Sequence, residues 1–316
     1  MDQGAFISRE KGSWLMKVVI LGAGSTEGCQ PVTIARALPA CHVANEPLID
    51  VQKERLRSAG FEPAAKVSGT ALYMKGDTWL SKNMLSFLAR TKGAVTVKDA
   101  GGRALAWMGK SSSPASGATC RSADEWSFAI RFPWDLLRVN EILVGELVES
   151  KIRGEVSPAA HIDGRLVLGK GSRVLAGVFV DGNVVVGANC KIGPNCYIRG
   201  NTSIGDGCHV GHAVEIKNCL VMAGTSIGHL SYCGDSVIGE RVNLGAGTIT
   251  ANFRHDGQNH RSMVGGELVD TGRRKFGAVL GDNVHTGIHT SIYPGRKMWP
   301  GTATIPGAVV GRDILS

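Results

Sequence analysis

A period of six residues governs the second half of the chain. Starting at Val156, every sixth residue is aliphatic for twelve successive positions. The series is Val156, Ile162, Leu168, Val174, Val180, Val186, Ile192, Ile198, Ile204, Val210, Ile216 and Met222. A glycine often follows the aliphatic residue, and a small or β-branched residue often stands four positions after it. Twelve consecutive aliphatic residues at a spacing of six do not arise by chance.

Such a repeat predicts a triangular coil in which each hexad forms one flat side. The aliphatic residue points inward, the small residue fills the corner, and glycine supplies the positive φ that tight turns require. The chain from residue 151 to 316 is therefore predicted to be a left-handed parallel β-helix. The period pauses between Ser226 and Asp235 and again between Asn252 and Gly277, so we expect interruptions of the coil at both places.

The residues before the repeat alternate between strand and helix patterns, which indicates a small α/β layer. The predicted strands and helices are Met16–Leu21, Pro47–Gly60 (helix), Thr70–Met74, Ser81–Thr91 (helix), Val95–Val97, Ala104–Met108 and Trp134–Ser150 (connecting helix). We therefore expect three regions: an α/β domain over 16–125, a linker with the connecting helix over 126–150, and the β-helix over 151–316.

The charge and composition restrict the class of partner. A net charge of +8 favours an anionic partner such as a phosphorylated metabolite or coenzyme A. Basic residues are not interleaved with aromatic ones, so nucleic acid is not expected. No apolar run reaches the length of a membrane span, and Met1 to Trp14 lacks a secretory pattern, so a cytoplasmic protein without a membrane partner is expected.

The eight cysteines include no CxxC pair, which argues against a zinc ribbon. Cys190, Cys196 and Cys208 all fall on the small-residue position of the repeat. We therefore expect these thiols to be reduced and buried, with a packing role.

Two histidine pairs are candidate metal ligands, because some left-handed β-helices are zinc enzymes. His255 and His260 lie in the irregular loop, and His285 and His289 lie within one stretch of the repeat. Neither pair matches ligands drawn from adjacent faces of a coil, so no metal site is expected.

Polar motifs gather where the period pauses. In chain order they are Val214-Glu215-Ile216-Lys217-Asn218, Gly228-His229-Leu230-Ser231-Tyr232, Gly234-Asp235 and the stretch from Val242 to Asn252. This succession closely resembles the acetyltransferase domain of the bacterial bifunctional enzymes that make UDP-N-acetylglucosamine. It resembles the archaeal sugar-1-phosphate nucleotidylyltransferase/acetyltransferases even more closely. The resemblance runs from about Val186 to Val310.

The resemblance implies a role for individual residues. It makes His229 the general base that takes a proton from the sugar amine, a task for which imidazole is suited near neutral pH. The residues that it assigns to the acceptor are Arg199 and Lys217 for the phosphate, Tyr232 and Asn243 for the sugar, and Lys275 after the long loop. The residues that it assigns to the coenzyme are Asn252, Gly245, Ala246, Gly287, Arg296 and Lys297. The family has a serine near the coenzyme where this chain has Ile288.

These roles imply an acetyl-CoA-dependent N-acetyltransferase of an amino sugar phosphate, with glucosamine-1-phosphate as the lead acceptor. They also imply a homotrimer, because the sites of the family form between neighbouring prisms. Backbone N–H groups of the Gly245-Ala246-Gly247 stretch are candidates for binding the oxyanion. The alternative for each side chain is a structural role, with His229 as a turn histidine, Lys217 as a solvated lysine and Tyr232 as a packing residue.

The α/β domain resembles the nucleotidyltransferase domain of the same enzymes over Met16 to about Met108. The outline persists in Leu21-Gly22-Ala23-Gly24-Ser25, Pro31, Arg36 and Asn45-Glu46-Pro47-Leu48-Ile49-Asp50. However, Thr26 replaces a loop glycine, Gly28 the loop arginine and Leu38 a lysine. Because these cations would balance the charge of a triphosphate, the domain is predicted to be degenerate and inactive, with no Mg²⁺ expected at Gly76-Asp77. The alternatives to the acetyltransferase are a sugar-1-phosphate nucleotidylyltransferase and a non-catalytic scaffold.

Overall fold

The structure is a computed structural model that describes residues 16–316. Its contacts divide the described chain into two units, residues 16–24 with 49–129 and residues 25–48 with 130–316. The first unit therefore differs from the predicted α/β domain over 16–125, because residues 25–48 group with the β-helix. Each unit is built around its own apolar core.

The first unit is a mixed six-stranded sheet with two helices. Its central parallel pair, Met16–Leu21 and Ala71–Lys75, consists of short apolar runs of the kind that a covered sheet buries. Its strands, in spatial order, are Phe61–Pro63, Met16–Leu21, Ala71–Lys75, Ala104–Gly109, Val95–Lys98 and Thr119–Ser122. A further antiparallel pair joins Thr78–Trp79 to Phe128–Ala129.

Helix α1 spans Leu48–Ser58 and helix α2 spans Lys82–Arg90. The hydroxyl of Ser81 accepts a hydrogen bond from the Met84 N–H at 2.9 Å, which caps the first turn of α2. The elements predicted between residues 16 and 108 are confirmed to within two residues at each end, whereas the edge strands at Phe61–Pro63 and Thr119–Ser122 were not predicted.

Residues 151–310 form a parallel β-solenoid of about nine turns, which confirms the fold predicted for this half. Each turn has three faces. Face 1 consists of Glu155–Val156, Arg173–Val174, Lys191–Ile192, His209–His212, Ser226–His229, Asn243–Leu244 and His285–Thr286. Face 2 consists of His161–Leu168, Phe179–Val186, Tyr197–Arg199, Glu215–Lys217, Tyr232–Gly234, Ile249–Thr250, Ser291–Ile292 and Val309–Val310. Face 3 begins at Lys151–Ile152, shares the ends of the two long strands of face 2, and continues through Thr202–Ile204, Leu220–Val221, Val237–Ile238, Val279–Leu280 and Lys297–Met298.

The inward aliphatic residues stack in register from one turn to the next. On face 2, Val180 pairs with Ile198 and Ile198 with Ile216. The predicted series holds as far as Ile216, but its last member was wrong, because Val221 and not Met222 takes the inward position next to Ile204. The inward residues Ile216 and Val221 are therefore separated by one position fewer than the period of six predicts.

The departures from the period of six fall at the corner between faces 2 and 3. The inward residues around this corner are 216 and 221 in one turn and 233 and 238 in the next, so both corners are one residue short. In the following turn the chain leaves the coil after Thr250 and returns at Val279. We call residues 251–278 the excursion. The predicted interruption from Ser226 to Asp235 was wrong for most of its length, because the strands Ser226–His229 and Tyr232–Gly234 continue the coil.

Face 3 is covered by helix α3, which spans Pro133–Gly145 and ends five residues before the predicted Ser150. Outward residues of this face are buried, whether apolar, as at Leu220 and Val237, or polar, as at Ser203, because the helix packs over the face. Asn140 of α3 accepts a hydrogen bond from the Ser203 hydroxyl at 2.6 Å. The face is therefore closed within a single chain.

Residues 25–48 also pack on this side of the coil. They contain two short 3₁₀ turns, Glu27–Cys29 and Leu38–Ala40, and the small hairpin of His42–Val43 with Glu46–Pro47. Arg36 makes two hydrogen bonds to the carboxylate of Asp282, at 3.1 and 2.5 Å, and an ion pair with Glu240 at 3.0 Å. This clamp ties the segment to two successive turns.

The three cysteines of the repeat are buried in the corners, and all eight cysteines are free thiols. The Cys196 thiol donates to the carbonyl of Gly211 at 2.7 Å. Burial raises the pKa of Cys196 to about 11 and that of Cys208 to about 12, so these thiols are protonated and unreactive. The predicted packing role is confirmed.

Candidate active site on one face of the coil

Asp235 lies at the second shortened corner, where it gathers three of the polar side chains. Asp235 is 3% exposed, and its carboxylate accepts hydrogen bonds from Asn218 at 3.0 Å and from Asn252 at 2.6 Å. The ammonium of Lys217 lies 3.1 Å from the same group. Such a buried carboxylate needs several donors, because an unpaired charge is costly in the interior. The cluster is therefore built as a unit.

Tyr232 extends this cluster across face 2. Its hydroxyl accepts a hydrogen bond from the Asn252 amide at 3.0 Å, so Asn252 bridges Tyr232 and Asp235. Burial, followed by the nearby charges of Asp235 and Glu215, raises the pKa of Tyr232 to about 12. The phenol is consequently neutral at physiological pH and keeps its proton for donation to a ligand.

Arg199 lies one turn below Lys217, and the two residues are paired in the sheet register. The guanidinium binds one oxygen of Glu215 through two N–H groups, at 2.8 and 2.7 Å. The hydrogen bond to Glu215 is the leading cause of the raised pKa of Arg199. With neighbouring strands about 4.8 Å apart, the structure brings together the two predicted phosphate ligands.

His229 lies at the opposite edge of face 2, at the corner with face 1. Its side chain is exposed, while its backbone carbonyl accepts from the Gly247 N–H at 3.1 Å and from the Ser231 hydroxyl at 2.8 Å. The imidazole is therefore fixed at its base by the coil and presented to solvent. Face 2 separates it from Lys217, so the two predicted functions occupy the two edges of one surface.

The corner that carries His229 continues along the coil through residues assigned to the coenzyme. The backbone bonds Gly247 N to His229 O, His289 N to Ala246 O and Gly307 N to Ile288 O define this column. His229, Ala246 and Ile288 are thus successive members of one corner. Ile288 is 50% exposed, so an apolar side chain stands where the resemblance expects a serine.

Glycines at this corner serve the stacking of turns. A Cβ on Gly245 would lie 2.6 Å from the carbonyl oxygen of Thr286, and one on Gly287 would lie 2.5 Å from the backbone of Ile305. The Gly245 N–H already donates to Thr286, and the Gly247 N–H donates to His229. Of the three N–H groups in the predicted stretch, these bonds engage those of Gly245 and Gly247, so the Ala246 N–H remains as the candidate donor to an oxyanion.

Asn243 and Lys275 lie apart from the Asp235 cluster. Asn243 is exposed on face 1, in register with Ser226 and His285. Lys275 closes the excursion, where it pairs with Phe253 and places its ammonium 5.9 Å from that ring. The structure therefore does not bring these two residues to the cluster within one chain.

Arg296 and Lys297 have different surroundings despite being neighbours. Arg296 reaches toward the excursion, with its guanidinium 3.3 Å from the carbonyl oxygen of Arg261. Lys297 is 2% exposed on face 3 and lies 5.8 Å from the ring of Trp134. Burial lowers the pKa of Lys297 to about 8. Its ammonium is therefore not presented to a ligand on the surface of this chain.

Two residues of the motifs received no role from the sequence, namely Asp235 and Glu215. Glu215 is the carboxylate partner of Arg199, and Asp235 is the carboxylate partner of Lys217. Each carboxylate lies one turn further along the coil than its cation. Lys217 follows Arg199 by eighteen positions, which is one full turn of a three-hexad coil, and the two residues are in register. The next turn is one residue shorter, so Gly234 is in register with Lys217 and Asp235 stands at the corner directly after it. The signal in the sequence was therefore a polar residue that recurs at this corner about one turn after Lys217.

In the first unit, Asp77 is the carboxylate that the nucleotidyltransferase resemblance singles out. It is 1% exposed, accepts a hydrogen bond from the Gly24 N–H at 3.1 Å and pairs with Arg103. A guanidinium thus already neutralises this carboxylate.

Two other positions that the nucleotidyltransferase resemblance singles out, Gly28 and Arg36, lie in the second unit. A Cβ on Gly28 would lie 2.5 Å from the carbonyl oxygen of Arg131, so the arginine of the family has no room there. Arg36 is engaged with Asp282 and Glu240. Both residues therefore have packing roles in this fold.

Residues 16–316 contain no group of three or more His, Cys, Asp or Glu side chains placed to hold a metal ion. Over the same residues, no helix combines the length and the apolar character that crossing a membrane would require.

The triangular coil and its polar corner define the class of this half as a hexapeptide-repeat β-helix. The family model described as the GMPPB C-terminal domain matches residues 180–296. A solved structure of UDP-N-acetylglucosamine acyltransferase covers 51% of this chain and 67% of that chain at 14% identity, with a TM-score of 0.25. The assignment of the fold therefore rests on the strand pairing described above.

Curated relatives give a more particular likeness. A bifunctional sugar-1-phosphate nucleotidylyltransferase/acetyltransferase of Sulfurisphaera tokodaii is 40% identical over 182 residues, which are 58% of this chain and 45% of that protein. The bifunctional protein GlmU of Methanococcus maripaludis is 45% identical over 185 residues, 58% of this chain and 44% of the relative. The resemblance to bifunctional nucleotidylyltransferase/acetyltransferases is confirmed, and the chain spans less than half the length of these relatives.

Proposed function

We propose that the protein is an N-acetyltransferase that transfers the acetyl group of acetyl-CoA to an amino sugar phosphate, with glucosamine-1-phosphate as the lead acceptor. The observation that carries the proposal is the Asp235 cluster, which fixes Lys217, Asn252 and Tyr232 on one edge of face 2. These residues lie where the coil departs from its repeat, so their types are not dictated by closure of the coil.

The phosphate of the acceptor binds between Arg199 and Lys217. Arg199 is 34% exposed and keeps N–H groups beyond those bonded to Glu215, and Lys217 is 17% exposed. Two cations on successive turns can each contact a phosphate group and add charge-assisted hydrogen bonds. Tyr232, next to them on face 2, donates its phenolic proton to the sugar.

His229 acts as the general base in the chemical step. The neutral amine attacks the thioester carbonyl, so a C–N bond forms as the C–S bond breaks. His229 takes the proton lost by the amine, and the departing thiolate takes a proton in turn. The Ala246 N–H, in the corner column of His229, donates to the oxyanion.

Acetyl-CoA lies along the corner column that runs from His229 through Ala246 and Gly287. Asn252 and Arg296, at the corner between faces 2 and 3, also contact the coenzyme. Asn243 and Lys275, which lie apart from the cluster in one chain, contribute to the site in a homotrimer. Exposed apolar residues on face 2 and its edge, including Phe179 at 40% and Leu230 at 61%, support such an assembly. Sedimentation velocity tests the trimer directly.

Thiol release from acetyl-CoA tests the proposed activity. The protein is incubated with acetyl-CoA and a panel of amino sugar phosphates, among them glucosamine-1-phosphate, and the free thiol is measured. Release that depends on one acceptor supports the proposal. Release with none of the acceptors, or with water alone at the same rate, contradicts it.

A further inference from the structure

A basic cavity of about 590 Å³ lies between the excursion and the turn of the coil that follows it. The excursion contributes a hairpin of Arg261–Val264 with Glu267–Asp270, and the coil contributes the corner from Tyr293 to Arg296. This volume lies in the range of small-molecule sites in proteins. The corner is the one that carries Lys217 and Asp235, and the cavity lies three turns after Lys217 and two turns after Asp235.

The cavity is held open by contacts between side chains and backbone carbonyls and by a close approach of two backbones. The hydroxyl of Ser262, which is fully buried, donates to the carbonyl of Gly295 at 2.8 Å. A Cβ on Gly295 would lie 2.5 Å from the carbonyl oxygen of Arg261, so any other residue would push the hairpin away from the coil. At the other end, the ring of His260 is 1% exposed and lies 3.0 Å from the Asn252 carbonyl oxygen. The walls are therefore formed without a ligand.

The charge of the cavity is strongly positive. Its lining includes Arg254, Arg261 and Arg296 against a single carboxylate, Asp270. Arg254 pairs with Asp256, which lines an adjoining cavity, whereas the guanidinium of Arg261 is exposed and has no bonded partner in the described residues. Three guanidinium groups around one cavity favour a ligand with more than one phosphate group.

A second cavity, of about 560 Å³, adjoins the first and shares Arg254, Tyr293 and Pro294 with it. It presents two exposed aromatic rings, Tyr293 at 55% and Phe253 at 49% exposure. Exposed aromatic rings beside guanidinium groups form a stacking surface for a nucleobase. The two cavities together offer one place for phosphates and one for a base.

We propose that these adjoining cavities bind the nucleoside polyphosphate portion of a substrate, with its phosphates on Arg254, Arg261 and Arg296 and its base against Tyr293. The proposal rests on the proposed acetyl transfer, because it supplies a site for the part of a substrate that does not react. Two sources share this chemistry, namely the adenosine phosphates of the acyl donor and a nucleoside diphosphate attached to the acceptor sugar.

The test is a set of calorimetric titrations of the full chain with adenosine 3′,5′-bisphosphate, with UDP and with inorganic pyrophosphate. Saturable binding of adenosine 3′,5′-bisphosphate or UDP supports the site, and the tighter of the two identifies the source. Pyrophosphate is expected to bind more weakly than the tighter nucleotide, because it lacks a base. If neither nucleotide binds, the proposal is overturned.

Two variants, one that removes a positive charge from the cavity and one that removes a negative charge, separate a binding role from a structural role. Arg261→Gln is expected to weaken nucleotide binding at least tenfold, whereas Asp270→Asn is expected to tighten it several-fold because an opposing charge is lost. The matched control is Arg173→Gln, an exposed arginine on face 1 that pairs with Glu155 and is expected to leave binding unchanged. Equal losses in Arg261→Gln and Arg173→Gln, or weaker binding in Asp270→Asn, would overturn the proposal.

Tyr293→Leu tests the base. It is expected to weaken the nucleotide several-fold while leaving pyrophosphate binding unchanged, and equal effects on both would overturn the stacking role. These titrations do not require turnover, so the site and the acetyl transfer can fail separately. Nucleotide binding without acetyl transfer contradicts the proposed function alone, whereas acetyl transfer with no change of KM for either substrate in Arg261→Gln contradicts this site alone.

Discussion

The ammonium of Lys217 lies 3.1 Å from the carboxylate of Asp235, one turn above it in the coil. Both side chains are largely enclosed, at 17% and 4% exposure. Asp235 has a φ of +48°, a conformation that asparagine and aspartate tolerate better than most residues. The pair therefore fixes the direction of the Lys217 side chain at the edge of face 2.

Asp235→Asn tests whether this carboxylate organises the cluster. Asparagine keeps the size and the backbone conformation, but Lys217 loses its charge partner in an enclosed place. We expect the free energy of unfolding to fall by about 2–4 kcal/mol. We also expect the KM for the sugar phosphate to rise more than kcat falls. Urea unfolding and acceptor titrations measure the two effects.

Glu155→Gln is the matched control, since Glu155 makes an ion pair with Arg173 at 80% exposure on face 1. An exposed pair of this kind contributes less than about 1 kcal/mol. If both variants lose the same stability and the KM is unchanged in Asp235→Asn, the organising role of Asp235 is contradicted.

His229→Gln tests the general base. The side chain is exposed and its structural bonds are made by the backbone, so we expect the fold to be retained. Loss of the base is expected to lower kcat for thiol release by about 10²- to 10⁴-fold at neutral pH. His161→Gln, an exposed histidine at the start of the coil that stacks on Phe179, serves as the control. Full activity in His229→Gln would rule out the mechanism.

The sequence predicted the coil well because its period is a property of inward residues alone. It predicted one inward residue wrongly, choosing Met222 instead of Val221. Met222 is apolar and buried and therefore fits the pattern as well as Val221 does. Counting at intervals of six does not detect a corner that is shortened by one residue. Because of that shortening, Gly234 is in register with Lys217, and Asp235 stands at the corner directly after it.

The covering of face 3 could not be predicted from the repeat. Leu220 and Val237 point outward yet are buried, since α3 packs over them. The same covering explains Lys297, for which the resemblance implied a contact with the coenzyme. Periodicity shows which residues point inward, but it does not show which outward face a distant helix will occupy.

Arg36→Met tests the clamp that attaches residues 25–48 to the coil. Asp282 has a side-chain exposure of 3% and loses its bidentate partner in this variant. We expect the free energy of unfolding to fall by about 3–5 kcal/mol. The double variant Arg36→Met/Asp282→Asn is expected to regain part of that loss, because no uncompensated charge remains. Additive effects in this cycle would contradict a direct pair.

Lys297→Met tests the cost of the buried amine. The folded-state pKa of about 8 lies below the value of about 10.4 in the unfolded chain, so below pH 8 the folded state holds a charge in an unfavourable place. We expect the methionine variant to be more stable by about 1–3 kcal/mol at pH 7. The advantage should shrink as the pH rises from 8 to 10.4, because the wild-type folded state sheds this proton first. Urea unfolding of both proteins at pH 7 and pH 10 measures the difference, and an advantage that does not change with pH would contradict this account.

Pyrophosphate release tests whether the first unit retains nucleotidyl transfer. We expect no release when UTP, dTTP or GTP is incubated with a sugar 1-phosphate and Mg²⁺, because Asp77 is paired with Arg103 and the loop lacks the family cations at Gly28 and Leu38. Arg103→Ala frees the carboxylate without supplying those cations, so it is expected to remain inactive as well. An active nucleotidylyltransferase assayed in parallel shows that the conditions support the reaction. Release by the wild-type protein that requires both the nucleotide and the sugar phosphate would show that Thr26, Gly28 and Leu38 are compatible with catalysis. The prediction of an inactive domain would then be wrong, and the alternative function, a sugar-1-phosphate nucleotidylyltransferase, would be favoured.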